Sequence, residues 1–167
     1  MSVIAAKVLD NGIKITADSI IVKGYTKSNK DFNKLIKVND MVIGGVGSAQ
    51  EVSFMWHYAQ THKPAAATEK DILTFIIEFT QWKSNMGAGH FIENSYLIIF
   101  KNHLYEIENM FVHEISDYVA IGAGEDFATA ALYLGHSPEE AVKTACELSC
   151  FVTEPIISFF EKFSKEY

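Results

Sequence analysis

Ser2 is the residue whose type and position point most directly to catalysis. It follows Met1, and methionine aminopeptidases remove an initiator methionine that precedes a small residue. The shortened chain would carry a hydroxyl nucleophile and a free α-amine on the same residue. An α-amine has a reference pKa of about 7.7–8.0, so near neutral pH it can act as the general base for its own side chain. Since many cytosolic proteins carry a second-position serine for reasons of processing alone, Ser2 needs supporting residues.

Two glycine-rich segments, 43–47 and 121–124, each lie between a predicted strand and a predicted helix, as a dinucleotide-binding loop does. Neither completes the G-x-G-x-x-G pattern, because Gln50 and Phe127 occupy the third glycine positions. Tight turns are the simpler interpretation. The sequence also has no G-x-S-x-G elbow, no P-loop and no H-E-x-x-H motif. We therefore predict that the protein uses no organic cofactor.

The two cysteines, Cys146 and Cys150, are four residues apart and would share one face of a helix. None of the six histidines forms an H-x-x-x-H pair, and no histidine lies within four residues of either cysteine. A zinc site would require two further ligands. The pattern predicts buried, inert thiols and no metal site.

The hydrophobic pattern predicts paired strands and paired helices in alternation. Short turns such as Asp10-Asn11-Gly12 join the strands, and Ser137, Pro138 and Glu140 together mark a helix start. The predicted strands cover 2–9, 13–21, 34–38, 41–46, 94–100, 103–107, 118–121 and 155–159, and the predicted helices cover 48–62, 68–84, 126–134 and 137–149.

This order predicts an α+β fold in which two mainly antiparallel sheets pack face to face between helix pairs, a four-layer αββα sandwich. Residues 1–167 would form a single domain. Phe159, Phe163 and Tyr167 are spaced to share one face of a short helical tail. Exposed apolar faces on the tail or on the helix at 48–62 would suit an interface between copies, although burial in the core explains them equally well.

Ser2, Asp18 and Lys34 lie at successive intervals of sixteen residues, and a glycine-rich strand end follows at 43–47. This arrangement resembles the proteasome β-subunits and the bacterial protease HslV, which are N-terminal nucleophile hydrolases. The resemblance implies that Lys34 lowers the pKa of the Ser2 amine and that Asp18 keeps Lys34 charged. It also implies that the backbone N–H of Gly45 stabilises the oxyanion.

The sequence departs from the family pattern at the supporting residues. The family usually has a serine in the G-S-G turn, where this chain has Ala123. Ser149 occupies roughly the place of a family aspartate, and Thr153 or Glu154 would have to replace the missing polar support. The predicted site therefore has an incomplete hydrogen-bond network around the Ser2 amine.

The resemblance implies a peptidase that hydrolyses polypeptides inside a homo-oligomeric ring, with an ATP-driven unfoldase as the partner that the family offers. Two alternatives stay open. One is a protein of assembly or interaction that keeps the fold after its active site has decayed, and the other is an amidase for a small molecule. Pocket composition would separate the amidase from a peptidase.

Composition excludes two classes of partner. The 14 basic residues are all lysines, against 21 acidic residues, and the net charge is −7. Phosphate and base recognition depend on clustered cations and on arginine, so we expect no nucleic-acid binding. The same deficit argues against an anionic membrane surface, and no apolar run is long enough to span a bilayer. We expect a cytoplasmic protein.

Overall fold

A computed structural model describes residues 1–24 and 26–164. These residues form eleven strands and four helices. The strands are β1 (Ile4–Leu9), β2 (Gly12–Asp18), β3 (Ile20–Lys23), β4 (Thr26–Asp31), β5 (Leu35–Val38), β6 (Met41–Val46), β7 (Ser95–Phe100), β8 (His103–Glu108), β9 (Phe111–Ile115), β10 (Tyr118–Ile121) and β11 (Ile156–Lys162). The helices are α1 (Ala49–Ala59), α2 (Glu69–Asn85), α3 (Glu125–Tyr133) and α4 (Pro138–Leu148).

The strands build two large antiparallel sheets and one small hairpin. One sheet has the order β10-β1-β2-β11, the other has the order β5-β6-β7-β8-β9, and β3 and β4 form a two-stranded sheet. Helices α3 and α4 pack on the four-stranded sheet, and α1 and α2 pack on the five-stranded sheet. The predicted αββα sandwich is confirmed.

Three layers of apolar side chains hold the sandwich together. The middle layer lies between the sheets, where Ile15 of β2 and Leu97 of β7 belong to one buried cluster. Residues 41–43 show why the sequence pattern of the inner strands does not alternate. Met41 and Ile43 face the helix-side core, whereas Val42 faces the middle layer, so both faces of the strand are apolar.

Helix starts and hairpin turns lie where the sequence places them. The side chain of Thr68 accepts a hydrogen bond from the Asp71 N–H at the start of α2. Ser137 and Glu140 form a reciprocal capping box at the start of α4. The Asn39-Asp40 turn has positive φ at both residues, as a type I′ hairpin turn requires.

Three elements differ from the sequence prediction. The predicted strand 13–21 is interrupted at Ser19, and the chain continues as the β3–β4 hairpin. Strand β9 was not predicted. The predicted helical tail is wrong at Phe159, which lies in β11, and Tyr167 lies outside the described residues. The spacing of Phe159 and Phe163 fits both a helix and a strand, and both side chains pack against the middle layer.

Within residues 1–24 and 26–164, no group of three or more His, Cys, Asp and Glu side chains is arranged to hold a metal ion. None of the helices in this part of the chain combines the length and apolar character needed to cross a bilayer.

Candidate active site

Asp18 and Lys34 form a buried ion pair at one end of the sandwich. Asp18 ends β2 of the four-stranded sheet, and Lys34 immediately precedes β5 of the five-stranded sheet. Lys34 Nζ lies 2.6 Å from Asp18 Oδ2, and the two side chains are 3% and 0% exposed. The Val3 N–H donates to Asp18 Oδ1 at 2.8 Å. The pair therefore joins the two sheets next to the backbone that follows Ser2.

Ser2 is 6% exposed and lies against this pair through the backbone. Lys34 Nζ donates to the carbonyl oxygen of Met1 at 3.4 Å, which is the oxygen of the Met1–Ser2 peptide bond. The carbonyl of Ser2 itself accepts from the Gly124 N–H at 3.3 Å. The structure thus brings Ser2, Asp18 and Lys34 to one place, as the family resemblance implies.

Burial shifts the pKa values of the ion pair in opposite directions. Desolvation lowers the pKa of Lys34 below its ordinary value, and the Asp18 carboxylate opposes that shift. Desolvation raises the pKa of Asp18, and Lys34 and the Val3 N–H oppose that shift. Lys34 is consequently a cation that gives up its proton more readily than an exposed lysine does.

A cavity of about 210 Å³ opens beside Ser2 and Lys34. Among the described residues, Lys34 is the one charged side chain that lines it. The other lining residues are mostly apolar: Met1, Ser2, Ile20, Ile21, Phe32, Gly45, Gly47, Ala49 and Val52. A group placed in this cavity lies against apolar walls and next to the Ser2 backbone.

The predicted oxyanion-hole residue requires a correction. The N–H of Gly45 donates to the carbonyl oxygen of Lys34 at 3.1 Å. This bond continues the antiparallel pairing of β5 with β6, in which Gly44 lies opposite Leu35. Because the Gly45 N–H is already committed, it is not available to an oxyanion in this geometry.

Gly47 is a cavity residue that the sequence prediction did not include in the site. It lies between the end of β6 and the N-cap Ser48 of α1, and its φ of 125° is in the region that favours glycine. It lines the cavity beside Ser2. Its N–H has no hydrogen-bond acceptor among the described residues. The signal in the sequence was a glycine placed immediately before a helix N-cap.

Within residues 1–24 and 26–164, the side chains predicted to support the Ser2 amine make no hydrogen bond to Ser2, Asp18 or Lys34. Ala123 is exposed, and the turn around it approaches Ser2 with backbone atoms, since a Cβ on Gly122 would overlap the Ser2 carbonyl oxygen. Ser149 is buried, but its Oγ accepts from the Phe151 N–H at 3.2 Å. Thr153 and Glu154 make no side-chain hydrogen bond to Ser2, Asp18 or Lys34 within the part of the chain that the structure describes.

The two cysteines have different environments. Cys146 is half-buried, and desolvation, together with the charges of Asp18 and Glu154, raises the pKa of its thiol to about 12. Cys146 is therefore protonated and unreactive near neutral pH. Cys150 is exposed, so the prediction that both thiols are buried is wrong for that residue.

Several solved structures share this architecture. BPH from Thiobacillus denitrificans matches with a TM-score of 0.83 and 19% identity over 98% of this chain and 100% of that chain. HslV from Trypanosoma brucei matches with a TM-score of 0.74 and 20% identity over 96% of this chain and 99% of that chain. Anbu, an ancestral β-subunit from Yersinia bercovieri, gives a TM-score of 0.71 and 16% identity over 96% of this chain and 81% of that chain.

The fold is that of the proteasome-type N-terminal nucleophile hydrolases. A second BPH structure, in complex with epoxomicin, matches with a TM-score of 0.81 and 19% identity over 98% of this chain and 100% of that chain. No family model matches the sequence, and no curated protein matches it. The similarity to these structures therefore lies in the fold.

Proposed function

We propose that the protein is a peptidase whose nucleophile is the hydroxyl of Ser2, active once the residues that precede Ser2 have been removed. The observation that carries this proposal is the position of Lys34. Its ammonium group is held by buried Asp18, reaches the Met1–Ser2 peptide carbonyl and borders an apolar cavity. A buried cation beside a hydroxyl nucleophile, with an adjoining cleft, is an arrangement that supports acyl transfer.

In this mechanism the free Ser2 amine accepts the hydroxyl proton while Oγ attacks the scissile carbonyl carbon. The charge of Lys34 favours the neutral form of the amine and stabilises the developing alkoxide. The carbonyl oxygen becomes an oxyanion, to which we assign the Gly47 N–H as donor.

Collapse of the tetrahedral intermediate breaks the C–N bond, and the Ser2 ammonium returns its proton to the leaving amine. The resulting ester of Ser2 is then hydrolysed. Water gives a proton to the amine, attacks the ester carbonyl, releases the carboxylate product and restores the Ser2 hydroxyl. No step requires a metal or an organic cofactor.

The cavity favours a substrate with an uncharged, apolar side chain next to the scissile bond. Ile20, Phe32 and Val52 supply apolar walls, and the described lining includes no carboxylate that would pair with a basic side chain. We propose polypeptides as the substrate class. A homo-oligomeric ring and an ATP-driven unfoldase are further parts of this proposal, which rest on the resemblance of the sequence.

Two observations favour a second candidate function, an assembly protein with a decayed site. Ala123 provides no hydroxyl near the Ser2 amine, and Ser149 is bonded elsewhere. An amidase for a small molecule is the third candidate, which would use the same nucleophile and differ in the group that the cavity accepts.

The test combines intact mass with peptide hydrolysis, using protein expressed without an N-terminal tag. We expect a mass corresponding to a chain that begins at Ser2, and hydrolysis of peptides with apolar residues before the cleaved bond. Ser2→Ala keeps the amine and should abolish turnover, whereas Ser137→Ala, which alters a helix cap, should leave turnover intact. Equal turnover in wild type and Ser2→Ala would refute the proposal.

Epoxomicin offers a second readout, because BPH has been solved in complex with it. We expect the intact mass of wild type to increase by one epoxomicin molecule per chain and the mass of Ser2→Ala to stay unchanged. A protein that begins at Ser2 but neither hydrolyses peptides nor gains mass would favour the assembly role. Hydrolysis of small amides in the absence of peptide hydrolysis would favour the amidase.

A further inference from the structure

The side chain of Asn94 holds the backbone of the turn that contains Gly47. Asn94 is 3% exposed. Its Oδ1 accepts from the Ser48 N–H at 2.6 Å, and its Nδ2 donates to the Ser48 carbonyl at 2.9 Å. The amide also packs directly on Gly47, since a Cβ there would overlap Asn94 Oδ1. One side chain therefore fixes both hydrogen-bonding groups of the residue next to Gly47.

A second buried ion pair holds Asn94 in turn. The carboxylate of Glu51, in the first turn of α1, bonds to the Lys83 ammonium group of α2, and the two residues are 5% and 2% exposed. Glu51 also accepts from the backbone N–H groups of Glu93 and Asn94 at 3.1 Å and 3.0 Å. The Asn94 backbone is thus tied to α1 while its side chain is tied to Ser48.

Tyr96 completes this network from β7. Its hydroxyl donates to Glu51 Oε1 at 3.3 Å. Burial and the charge of Glu51 raise the pKa of Tyr96 above its ordinary value, so the hydroxyl stays protonated and remains a donor. Every oxygen of Glu51 therefore has a donor, which satisfies the condition for a stable buried charge.

We propose that Asn94, held by the buried Glu51–Lys83 ion pair, is a positioning residue that fixes the Gly47 amide for the reaction at Ser2. The inference rests on the proposed function. Only Gly47 and Ser48 separate the end of β6 from the start of α1, so a displacement of the Ser48 backbone also displaces Gly47. An oxyanion donor acts only when it is held close to the position that the oxyanion occupies.

The first test is Asn94→Ala, measured in steady-state hydrolysis. We expect kcat to fall at least tenfold and KM to stay within about twofold, because the Gly47 amide acts in the transition state and the cavity walls are unchanged. Thr80→Val is the matched control. It removes a hydrogen bond of a 6% exposed side chain on α2, from Thr80 Oγ1 to the Ile77 carbonyl, without touching Asn94. We expect kcat of this control to stay within twofold of wild type.

Variants at Glu51 and Lys83 test the same inference without changing Asn94, so the result does not depend on whether Asn94→Ala folds. Glu51→Gln leaves Lys83 without its charged partner, whereas the double variant Glu51→Gln with Lys83→Met removes both charges and keeps an acceptor for the Asn94 N–H. We expect the double variant to recover more than half of the kcat lost in Glu51→Gln. A double variant with no more activity than the single variant would count against the positioning role.

Amide hydrogen exchange gives a readout that does not depend on activity. Exchange at Ser48 should be at least tenfold faster in Asn94→Ala than in wild type, and unchanged in Thr80→Val. Unchanged exchange at Ser48 overturns the inference. If Asn94→Ala hydrolyses peptides at the same rate as wild type, the inference is overturned and the proposed function is unaffected. If the wild-type protein hydrolyses no peptides, the proposed function is overturned, and the inference that rests on it is overturned as well.

Discussion

Among the residues that the structure describes, two lysine–carboxylate pairs are buried, and they differ in what surrounds the lysine. Lys34 borders an apolar cavity and lies 3.4 Å from the Met1 carbonyl, beside Ser2. Lys83 lies between α1 and α2, where its partner Glu51 also accepts from two backbone N–H groups and from Tyr96. Both pairs are almost completely excluded from solvent. Burial alone therefore does not distinguish a pair that can act on a substrate from one that supports the backbone.

The two carboxylates also differ in the backbone segments that they hold. Asp18 binds the N–H of Val3, the residue after the proposed nucleophile. Glu51 binds the N–H of Asn94, whose side chain holds Ser48 next to Gly47. One pair thus orders the segment that attacks, and the other orders the segment to which we assign oxyanion binding. The following changes separate these two roles.

Lys34→Met should have the largest effect. We expect hydrolysis to fall by about 10²–10³-fold, the typical effect of removing one group that stabilises charge developing in the transition state. The change leaves Asp18 buried without a cation, so stability should also fall by roughly 3–5 kcal/mol. Steady-state hydrolysis and urea unfolding measure the two effects separately. In the double variant Asp18→Asn with Lys34→Met, stability should return and hydrolysis should not. Recovered hydrolysis in that variant would contradict the role of Lys34.

Lys83→Met should affect mainly stability. Glu51 would lose its charged partner, which typically lowers the free energy of unfolding by roughly 3–5 kcal/mol. We expect kcat of the folded fraction to fall about tenfold at most, since Lys83 reaches the site only through Glu51 and Asn94. Denaturant unfolding, followed by kinetics under conditions where the variant is folded, tests this expectation. A loss of hydrolysis as large as that of Lys34→Met would show that the two pairs do not divide their roles in this way.

Gly47→Ala should lower hydrolysis by about 10–100-fold, part of the effect expected when one oxyanion donor is lost. A side chain at φ 125° is strained, and its Cβ would also displace Asn94. Gly135→Ala is the matched control, because that glycine has a φ of 93° with open space around it. We expect the control to lose only stability, of the order of 1–2 kcal/mol. Equal activity of Gly47→Ala and Gly135→Ala would remove Gly47 from the site.

The smallest effect should be a shift in pH dependence. If catalysis uses charged Lys34, activity falls as pH rises through the pKa of Lys34, which burial has already lowered. Asp18→Asn removes the neighbour that raises this pKa, so the alkaline limb should move to lower pH. Profiles of kcat/KM measure the shift. Asp40→Asn, which breaks the exposed pair with Lys63, should leave the limb in place. An alkaline limb that moves to higher pH in Asp18→Asn would contradict the assignment.

The order of elements could be predicted from the sequence, because turns and caps are local signals, whereas the meeting of Asp18 with Lys34 was implied by the family resemblance. The commitment of the Gly45 N–H could not be predicted, since the β5–β6 register places it against the carbonyl of Lys34, the residue immediately before β5. That register is a long-range property. The Glu51–Lys83 pair was missed for the same reason, because its partners are 32 residues apart and only the packing of α1 on α2 brings them together.

The missed strands have a different cause. Strand β4 consists of TKSNKD, which has no apolar residue to mark it. Strand β9 follows a turn at Asn109-Met110 that lacks the usual glycine, although both residues have positive φ. At the end of β11, the four-residue interval between Phe159 and Phe163, which lies one residue beyond the strand, is a multiple of two and also close to one helical turn, so the pattern could not separate a strand from a helix.

The strand order also constrains when the site can form during synthesis. Strand β1, which follows Ser2, pairs with β10, and β2, which ends at Asp18, pairs with β11 through Ile156. A nascent chain that has emerged only as far as α2 lacks both outer neighbours of these two strands. Its β1–β2 hairpin would have both edges unpaired. The β1–β2 hairpin, which follows Ser2 and ends at Asp18, therefore gains both of its neighbours in the sheet only after residues 1–162 have been synthesised.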